Sequence, residues 1–300
     1  MSKPKSPERW AFDLTLLLNA ACGADRFPVD LRTLALDYTR QRFPGDAITH
    51  ILGADLPGFD GALYRAPSGK QGWVIIHNDK IQSRGRINFT LAHELGHYLL
   101  HRSDHPNGMR CGEHDVVRWD ETYARVEQEA NVFAANLLMP LDDFRRQVPA
   151  QARVDLDIIS HCAKRYDVSL IAATLRWLSY TEKRAVLVVS RDGFILWSRA
   201  SAAALKTKAY FKTSGSPIEI PEMSLVYRQN SSLNTRTGVE HGPGVWFHEP
   251  TWEMTLFSEQ YDFAVTLLLL EDHQPVGAEL DAVAEPDLYD RLTTEPDREP

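Results

Sequence analysis

The stretch that decides the fold reads Leu-Ala-His-Glu-Leu-Gly-His-Tyr-Leu-Leu at residues 91–100. Apolar residues recur here at helical spacing, which predicts a helix over residues 87–100. Residues four apart on a helix lie one above the other, so His93 and His97 present two imidazole nitrogens to the same point. Glu94 is rotated by about 100° from His93, so it can reach a water molecule at that point without being a ligand. The stretch therefore predicts a zinc site with a carboxylate base beside it.

The chemistry that this motif supports is hydrolysis. Zinc lowers the pKa of its water toward about 7, and the Glu94 carboxylate can take the proton as the water attacks a carbonyl. The same carboxyl group can then donate the proton to the leaving amine. A five-residue match also arises by chance, but two histidines and a glutamate are costly to bury among Leu91, Ala92 and Leu95 without partners. The context favours a zinc-dependent peptidase.

A catalytic zinc ion needs a third protein ligand and leaves its fourth position to water. The extended three-histidine pattern fails, because it requires Gly and His where the chain has Leu100 and Ser103. A second helix, predicted over residues 121–139, offers Glu127 and Glu129 instead. Candidates nearer to the motif are His101, His105, Glu113, His114, Asp115, Asp120 and Glu121.

The two glutamates of the second helix point about 160° apart, so only one of them can face the metal. The face beside Glu127 carries Ala130, Asn131 and Ala134. Small residues permit close helix approach, and Asn131 can hydrogen-bond a ligand histidine from outside the ligand set. The alternative, two glutamates on a solvent-exposed helix face, must also explain these small residues. The pattern favours Glu127 and keeps Glu129 as the alternative.

Two blocks of sequence carry a family resemblance. The first is Asn-Phe-Thr-Leu-Ala-His-Glu-Leu-Gly-His at residues 88–97. The second is Glu-Gln-Glu-Ala-Asn-Val-Phe-Ala-Ala-Asn-Leu-Leu-Met-Pro at residues 127–140. Together they resemble the ImmA/IrrE family of metallo-endopeptidases, with a likeness that covers about residues 30–180, the usual size of one domain.

The resemblance implies a minimal, gluzincin-like fold in which His93, His97 and Glu127 hold zinc and Glu94 is the general base. It also implies a substrate class: helix-turn-helix transcriptional repressors, cut to switch on a stress or mobile-element response. Manganese is the alternative metal, because two histidines and a carboxylate accept several divalent ions. The alternative function is a non-catalytic or DNA-binding transcriptional regulator that retains the zincin fold, and the intact motif counts against it.

Two further features of the peptidase part concern the substrate. In zincins the strand before the metal helix commonly lies along the cleft, so residues 72–77 are the candidate edge strand for pairing with an extended peptide. The alternative is an ordinary strand of the sheet, and for Val74 and Ile76 core packing is favoured. The residue that stabilises the oxyanion is not distinguished by the pattern. Its candidates are Tyr98, His101, His114 and Tyr123.

The whole chain is predicted to be α+β, in four parts. A zincin-like core with a small sheet occupies residues 1–140, and a helical, helix-turn-helix-like segment occupies 141–181. A β-rich domain follows at 182–272, which the resemblance implies to be a GAF-like sensor, and an acidic tail rich in proline at 273–300 is expected to be disordered. Strands of the β-rich domain are predicted at residues 185–189, 194–197, 224–227, 244–248, 252–257 and 263–269.

Composition limits the partners. The formal net charge of −8 argues against a surface built for nucleic acid or anionic lipid. The second helix of the helix-turn-helix-like segment, at residues 169–178, has a single arginine, so we expect it to pack rather than bind DNA directly. Three scattered cysteines indicate a reducing compartment, and the longest apolar run is too short for a bilayer. We therefore predict a cytoplasmic protein with a protein substrate and no membrane partner.

Overall fold

The computed structural model describes residues 5–66, 70–111, 121–213, 215–228, 235–258 and 262–272. The acidic tail predicted at 273–300 lies outside these residues. Among these residues the chain divides into two compact units, one built from 5–141 with 163–169 and the other from 142–162 with 170–272. The four-part division expected from the sequence stays a prediction.

The first unit combines helices with a small sheet. Its elements are α1 (Pro7–Cys22), a 3₁₀ turn (Gly23–Arg26), α2 (Leu31–Arg42), β1 (Ile48–Ala54), β2 (Gly61–Arg65), β3 (Trp73–Asn78), α3 (Arg84–Leu100), β4 (Gly108–Cys111) and α4 (Glu121–Leu138).

Side-chain caps begin the first three helices of this unit. Ser6, Asp30 and Ser83 each accept a hydrogen bond from the backbone N–H three residues later. Such caps satisfy a donor that the first turn of a helix leaves free and stabilise it by about 1 kcal/mol each. The cap at Ser83 starts α3 three residues earlier than its apolar pattern indicates, which gives the motif two full turns of preceding helix.

The sheet of the first unit has the strand order β1-β3-β2-β4. β1 is parallel to β3, whereas β2 is antiparallel to both β3 and β4. The prediction that residues 72–77 form an edge strand is wrong, because β3 lies inside the sheet with hydrogen-bonded neighbours on both sides. Its neighbour β1 and the edge strand β4 were both missed in the sequence.

The second unit is built around a six-stranded antiparallel sheet with the order β7-β6-β5-β10-β9-β8. Its elements are α5 (Leu141–Gln147), α7 (Leu170–Leu178), β5 (Ala185–Arg191), β6 (Phe194–Ala200), α8 (Ala202–Lys206), β7 (Ile218–Glu219), α9 (Leu225–Arg228), β8 (Val239–His241), β9 (Thr251–Ser258) and β10 (Phe263–Leu270). Among the described residues the chain passes between the units at 141/142, 162/163 and 169/170, and the second of these points falls within α6 (Leu156–Tyr166). One face of the sheet packs against a cluster that includes Val188, Trp246 and Leu268.

Two strands predicted in the second unit are wrong. Residues 224–227 form α9 instead, because the N–H groups of Leu225 and Val226 donate to the buried Glu253 carboxylate at 3.1 and 3.2 Å. Residues 244–248 form a turn, in which the Gly244 N–H donates to the Phe247 carbonyl at 2.7 Å. Gly244 has a φ of 92°, which glycine adopts readily and other residues do not.

α7 packs inward, with Ala173, Thr174 and Trp177 fully buried. These side chains are therefore not available to a nucleic acid. No helix in the described part of the chain combines the length and the apolar character that a bilayer span requires.

Candidate metal centre

The motif residues lie on α3, which presents three histidines on one face. His93, His97 and His101 follow one another at intervals of one turn, with ring centroids 4.5 and 5.2 Å apart. All three are buried, with exposures of 7%, 0% and 5%. Burial of three imidazoles in a row requires partners for their nitrogens.

α4 supplies these partners from the opposite side. The two helices approach closely at Gly96, where an added Cβ would lie 2.9 Å from the Phe133 ring and 3.3 Å from Cα of Ala130. This approach explains a glycine in the middle of α3, where it costs about 1 kcal/mol of helix propensity. The close packing brings the carboxylates of α4 within reach of the histidines of α3.

The structure brings His93, His97 and Glu127 together. The Nε2 atoms of His93 and His97 are 2.8 Å apart, and they lie 3.1 and 3.3 Å from the two carboxylate oxygens of Glu127. This is a group of ligand atoms that can hold a metal ion. A tetrahedral zinc ion with bonds of about 2.1 Å sets its ligands about 3.4 Å apart. This donor set of two histidines and one glutamate therefore fits zinc in the chemistry of its atoms and nearly in their spacing.

Each ligand histidine has a different partner at its second nitrogen. Nδ1 of His93 is 3.0 Å from Oδ1 of Asn131 on α4. Nδ1 of His97 is instead 3.0 Å from Nδ1 of His101, and Nε2 of His101 is 3.0 Å from Oε2 of Glu129. The two glutamates between which the sequence left a choice therefore lie in different places: Glu127 faces His93 and His97, whereas Glu129 faces His101.

The protonation of the donor set follows from these contacts. Burial alone would lower the pKa of His93, but the charge and hydrogen bond of Glu127 outweigh it and raise that pKa to about 8. Burial and the neighbouring charge of His93 lower the pKa of His97 to about 4. Burial would raise the pKa of Glu127, yet the two histidines hold it well below its ordinary value. The metal-free site thus keeps a proton on His93, leaves His97 neutral and ionises Glu127.

Glu94 is fully buried beside the ligand histidines. Its position depends on β2, which crosses α3 at Gly61. A Cβ at Gly61 would lie 2.5 Å from Cγ2 of Thr90 and 2.7 Å from Oε1 of Glu94. Only glycine leaves room for the carboxylate here. Asp60, the preceding residue, fixes this approach by pairing with both Nε and Nη2 of Arg86 on α3, at 2.7 and 2.8 Å.

The other predicted candidates separate into two groups. The Tyr98 hydroxyl donates to the backbone carbonyl of Asp46 at 2.8 Å, so it is used elsewhere. His101 has both ring nitrogens engaged, as described above, and His105 is not part of the donor set among the described residues. The remaining candidates lie outside the described residues or have side chains that are not described: Glu113, His114, Asp115, Asp120, Glu121 and Tyr123.

Sequence reasoning missed Gly61 and the pairing of His101 with Glu129. The helical spacing that links His93 to His97 continues one more turn to His101, so this signal was present. Nothing in the local sequence of β2 points to Gly61, because its importance comes from contact with a helix more than twenty residues away.

A mixed helix-and-sheet domain that joins two histidines and a glutamate on neighbouring helices, with a buried glutamate beside them, has the make-up of a metallopeptidase-like domain. Residues 46–178 match the family model of Peptidase_M78, the IrrE N-terminal-like domain. This segment is therefore an IrrE N-terminal-like domain, and the resemblance to the ImmA/IrrE family is confirmed. No curated protein matches the chain.

Proposed function

We propose that this chain is a zinc-dependent, site-specific endopeptidase that cleaves a helix-turn-helix transcriptional repressor in the cytoplasm. The observation that carries the proposal is the convergence of His93, His97 and Glu127 next to the buried carboxylate of Glu94. The match to a peptidase family supports the reaction class. The choice of a repressor as substrate rests on the family resemblance alone.

His93, His97 and Glu127 would hold the metal. Asn131 beside His93 and His101 beside His97 would keep the Nε2 atoms of these two rings pointed at it. A zinc ion there would supply Lewis acidity, which polarises the scissile carbonyl and makes water acidic near neutral pH. Glu94 takes one proton from the attacking water, whose oxygen forms a bond to the carbonyl carbon. The carbon–nitrogen bond then breaks as Glu94 returns the proton to the leaving amine, so the reaction consumes one water and restores the carboxylate.

The oxyanion that forms during this attack needs a donor. Tyr98 and His101 are not suited to that role, because their polar atoms are already bonded to Asp46 and to His97 and Glu129. A metal ion held by the three residues would supply one source of stabilisation, and Tyr123 and His114 are the other candidates from the sequence.

The proposed reducing, cytoplasmic setting is supported by Cys22 and Cys162, neither of which forms a disulfide. The proposed GAF-like role of the second unit rests on the resemblance and on its β-rich make-up. In this role the unit would bind a signal and regulate the peptidase.

The test uses the purified full chain and a small helix-turn-helix repressor encoded beside its gene. We expect the zinc-loaded chain to cut the repressor at one position, chelation to stop the cut, and added zinc to restore it. Glu94→Gln should retain zinc but lose cleavage by about a hundredfold or more, because an amide cannot take the proton. Mass spectrometry of the fragments and measurement of bound zinc give both quantities.

Glu222→Gln is the matched control, because Glu222 is exposed and lies in the second unit. It should cut like the parent. Cleavage by Glu94→Gln at the parental rate contradicts the mechanism. A zinc-loaded parent that binds the repressor or DNA and cuts nothing favours the regulator that retains the fold without turnover.

A further inference from the structure

His101 lies one helical turn beyond His97, and both of its ring nitrogens are occupied. Nδ1 is 3.0 Å from Nδ1 of His97, and Nε2 is 3.0 Å from Oε2 of Glu129. The imidazole is 5% exposed. His101 thereby completes a continuous hydrogen-bonded path. The path runs from Glu127 and the metal position through His97 and His101 to Glu129.

The direction of each hydrogen bond in this path is set by its outer end. A carboxylate accepts hydrogen bonds and does not donate them, so Nε2 of His101 must carry a proton to bond Glu129. In the neutral ring, Nδ1 of His101 then has a lone pair and accepts. The partner in that bond, Nδ1 of His97, must therefore be the donor. A neutral His97 with its proton on Nδ1 has a free lone pair on Nε2, the atom that faces Glu127.

His93 is held differently. Its Nδ1 faces Oδ1 of Asn131, a neutral amide that accepts the proton directly. The His97 path instead ends at the partly exposed Glu129, whose other oxygen is 3.7 Å from Nε of Arg125. His93 and His97 thus each have their own acceptor. The acceptor of His97 is itself a histidine, His101, which accepts only in one of its two neutral tautomers.

We propose that His101 and Glu129 are positioning residues for the metal site: together they hold His97 in the tautomer and orientation that present Nε2 to the metal. This rests on the proposed function, since it assumes that His97 is a ligand. The competing explanation is structural, with His101 and Glu129 joining α3 to α4 and having no effect on His97. Both explanations predict some loss of stability when the pair is broken, so stability alone does not separate them.

Three features separate the two explanations. First, a carboxamide at position 101 can accept from His97 through its oxygen and donate to Glu129 through its nitrogen, whereas a phenyl ring can do neither. Second, the effect of Glu129 must pass through His101, so it should vanish once His101 is a phenylalanine. Third, the ligand field of a bound cobalt ion reports the orientation of His97, which a helix contact elsewhere leaves unchanged.

The experiment measures the zinc dissociation constant of the full chain by competition with a chromogenic chelator. Partners of ligand histidines typically change metal affinity by about 10- to 100-fold, and we expect a loss of this size for His101→Phe. His101→Gln should stay within a few-fold of the parent. Glu129→Ala, which removes the acceptor, should weaken binding in the parent but not in His101→Phe, and Glu222→Gln should change nothing. In cobalt-loaded protein, the visible absorption bands should shift for His101→Phe and not for His101→Gln.

The proposal is overturned if His101→Phe binds zinc as tightly as the parent. It is equally overturned if His101→Gln is as weak as His101→Phe, or if Glu129→Ala weakens binding by the same factor in both backgrounds. Circular dichroism checks that each variant is folded; if His101→Phe does not fold, the comparison of His101→Gln and Glu129→Ala with the parent still decides. A parent chain with no measurable zinc affinity contradicts the proposed function itself, whereas tight parental binding with unaffected variants contradicts only this assignment.

Discussion

The donor set combines three groups whose protonation differs although they lie within 3.3 Å of one another. The pKa of His93 is raised because the charge and hydrogen bond of Glu127 outweigh burial, whereas burial and the neighbouring charge of His93 lower the pKa of His97. A metal ion that binds His93 must displace this proton, so metal binding and proton release are coupled.

This coupling predicts how zinc affinity depends on pH. The pKa of His93 in the metal-free protein is raised to about 8, so below that pH a proton competes for its Nε2. Affinity should therefore fall by about tenfold for each pH unit below 8 and level off above it, since only one proton is displaced while His97 is already neutral. Zinc titrations from pH 6 to 9 measure the slope, and about one proton released per zinc at pH 7 checks it independently. An affinity that does not change between pH 6 and 8 contradicts the coupling.

At the scale of single residues, the sequence was sufficient to place His93, Glu94 and His97 next to one another, because their placement depends on spacing within one helix; their roles stay predictions. Glu127 and Glu129 could be separated only through the small residues on one face of α4. The partnership of Glu129 with His101 was not foreseen, since it requires the rotation of α4 against α3, which no local pattern encodes.

At the scale of elements, the site depends on how closely α3 and α4 approach. Gly96 makes this approach possible, and an alanine there would place its Cβ 3.3 Å from the backbone of Ala130. In the proposed function His93 and His97 on α3 hold one metal ion together with Glu127 on α4, so we expect an increase in the distance between these helices to weaken metal binding.

Gly96→Ala tests this dependence. Alanine favours the helix by about 1 kcal/mol, whereas a methyl group forced into a packed interface costs about 1–3 kcal/mol. We expect a small net loss in the free energy of unfolding and a loss of zinc affinity of about tenfold or more. Denaturant unfolding and chelator competition measure the two effects. Gly45→Ala is the control, because its Cβ meets no atom within 4 Å; parental zinc affinity in Gly96→Ala would show that the approach is not critical.

The sequence predicted an element correctly where a local pattern determines its secondary structure. It failed where a contact with a distant residue determines that structure. The helix with strong apolar spacing at α4 (Glu121–Leu138) agrees with its predicted span of residues 121–139. The segment at 224–227 looks like a strand by its residue types but forms a helical turn, because Glu253 accepts its N–H groups from another strand. The composition of β3 fits an edge strand as well as a core strand. Its position inside the sheet follows from its pairing with β1, which was not predicted.

At the scale of the whole molecule, the two units have different kinds of core. The first surrounds the donor set with helices and a four-stranded sheet, and the matched family segment begins at residue 46. The second buries an acidic side chain, Glu253, which accepts from Trp246 and Thr255 as well as from α9. The sequence indicated the change from helices to strands near residue 181 through its composition, but it could not indicate the strand order, because that depends on contacts far apart in the chain.

The central claim is that His93, His97 and Glu127 hold one metal ion in the full chain. The most direct measurement is the zinc content of the purified protein after dialysis, compared among the parent, Glu127→Ala and Glu129→Ala. We predict about one zinc per chain for the parent and for Glu129→Ala at saturating metal, and little for Glu127→Ala, because a catalytic zinc ion needs three protein ligands. Zinc that survives Glu127→Ala and disappears with Glu129→Ala would contradict this assignment.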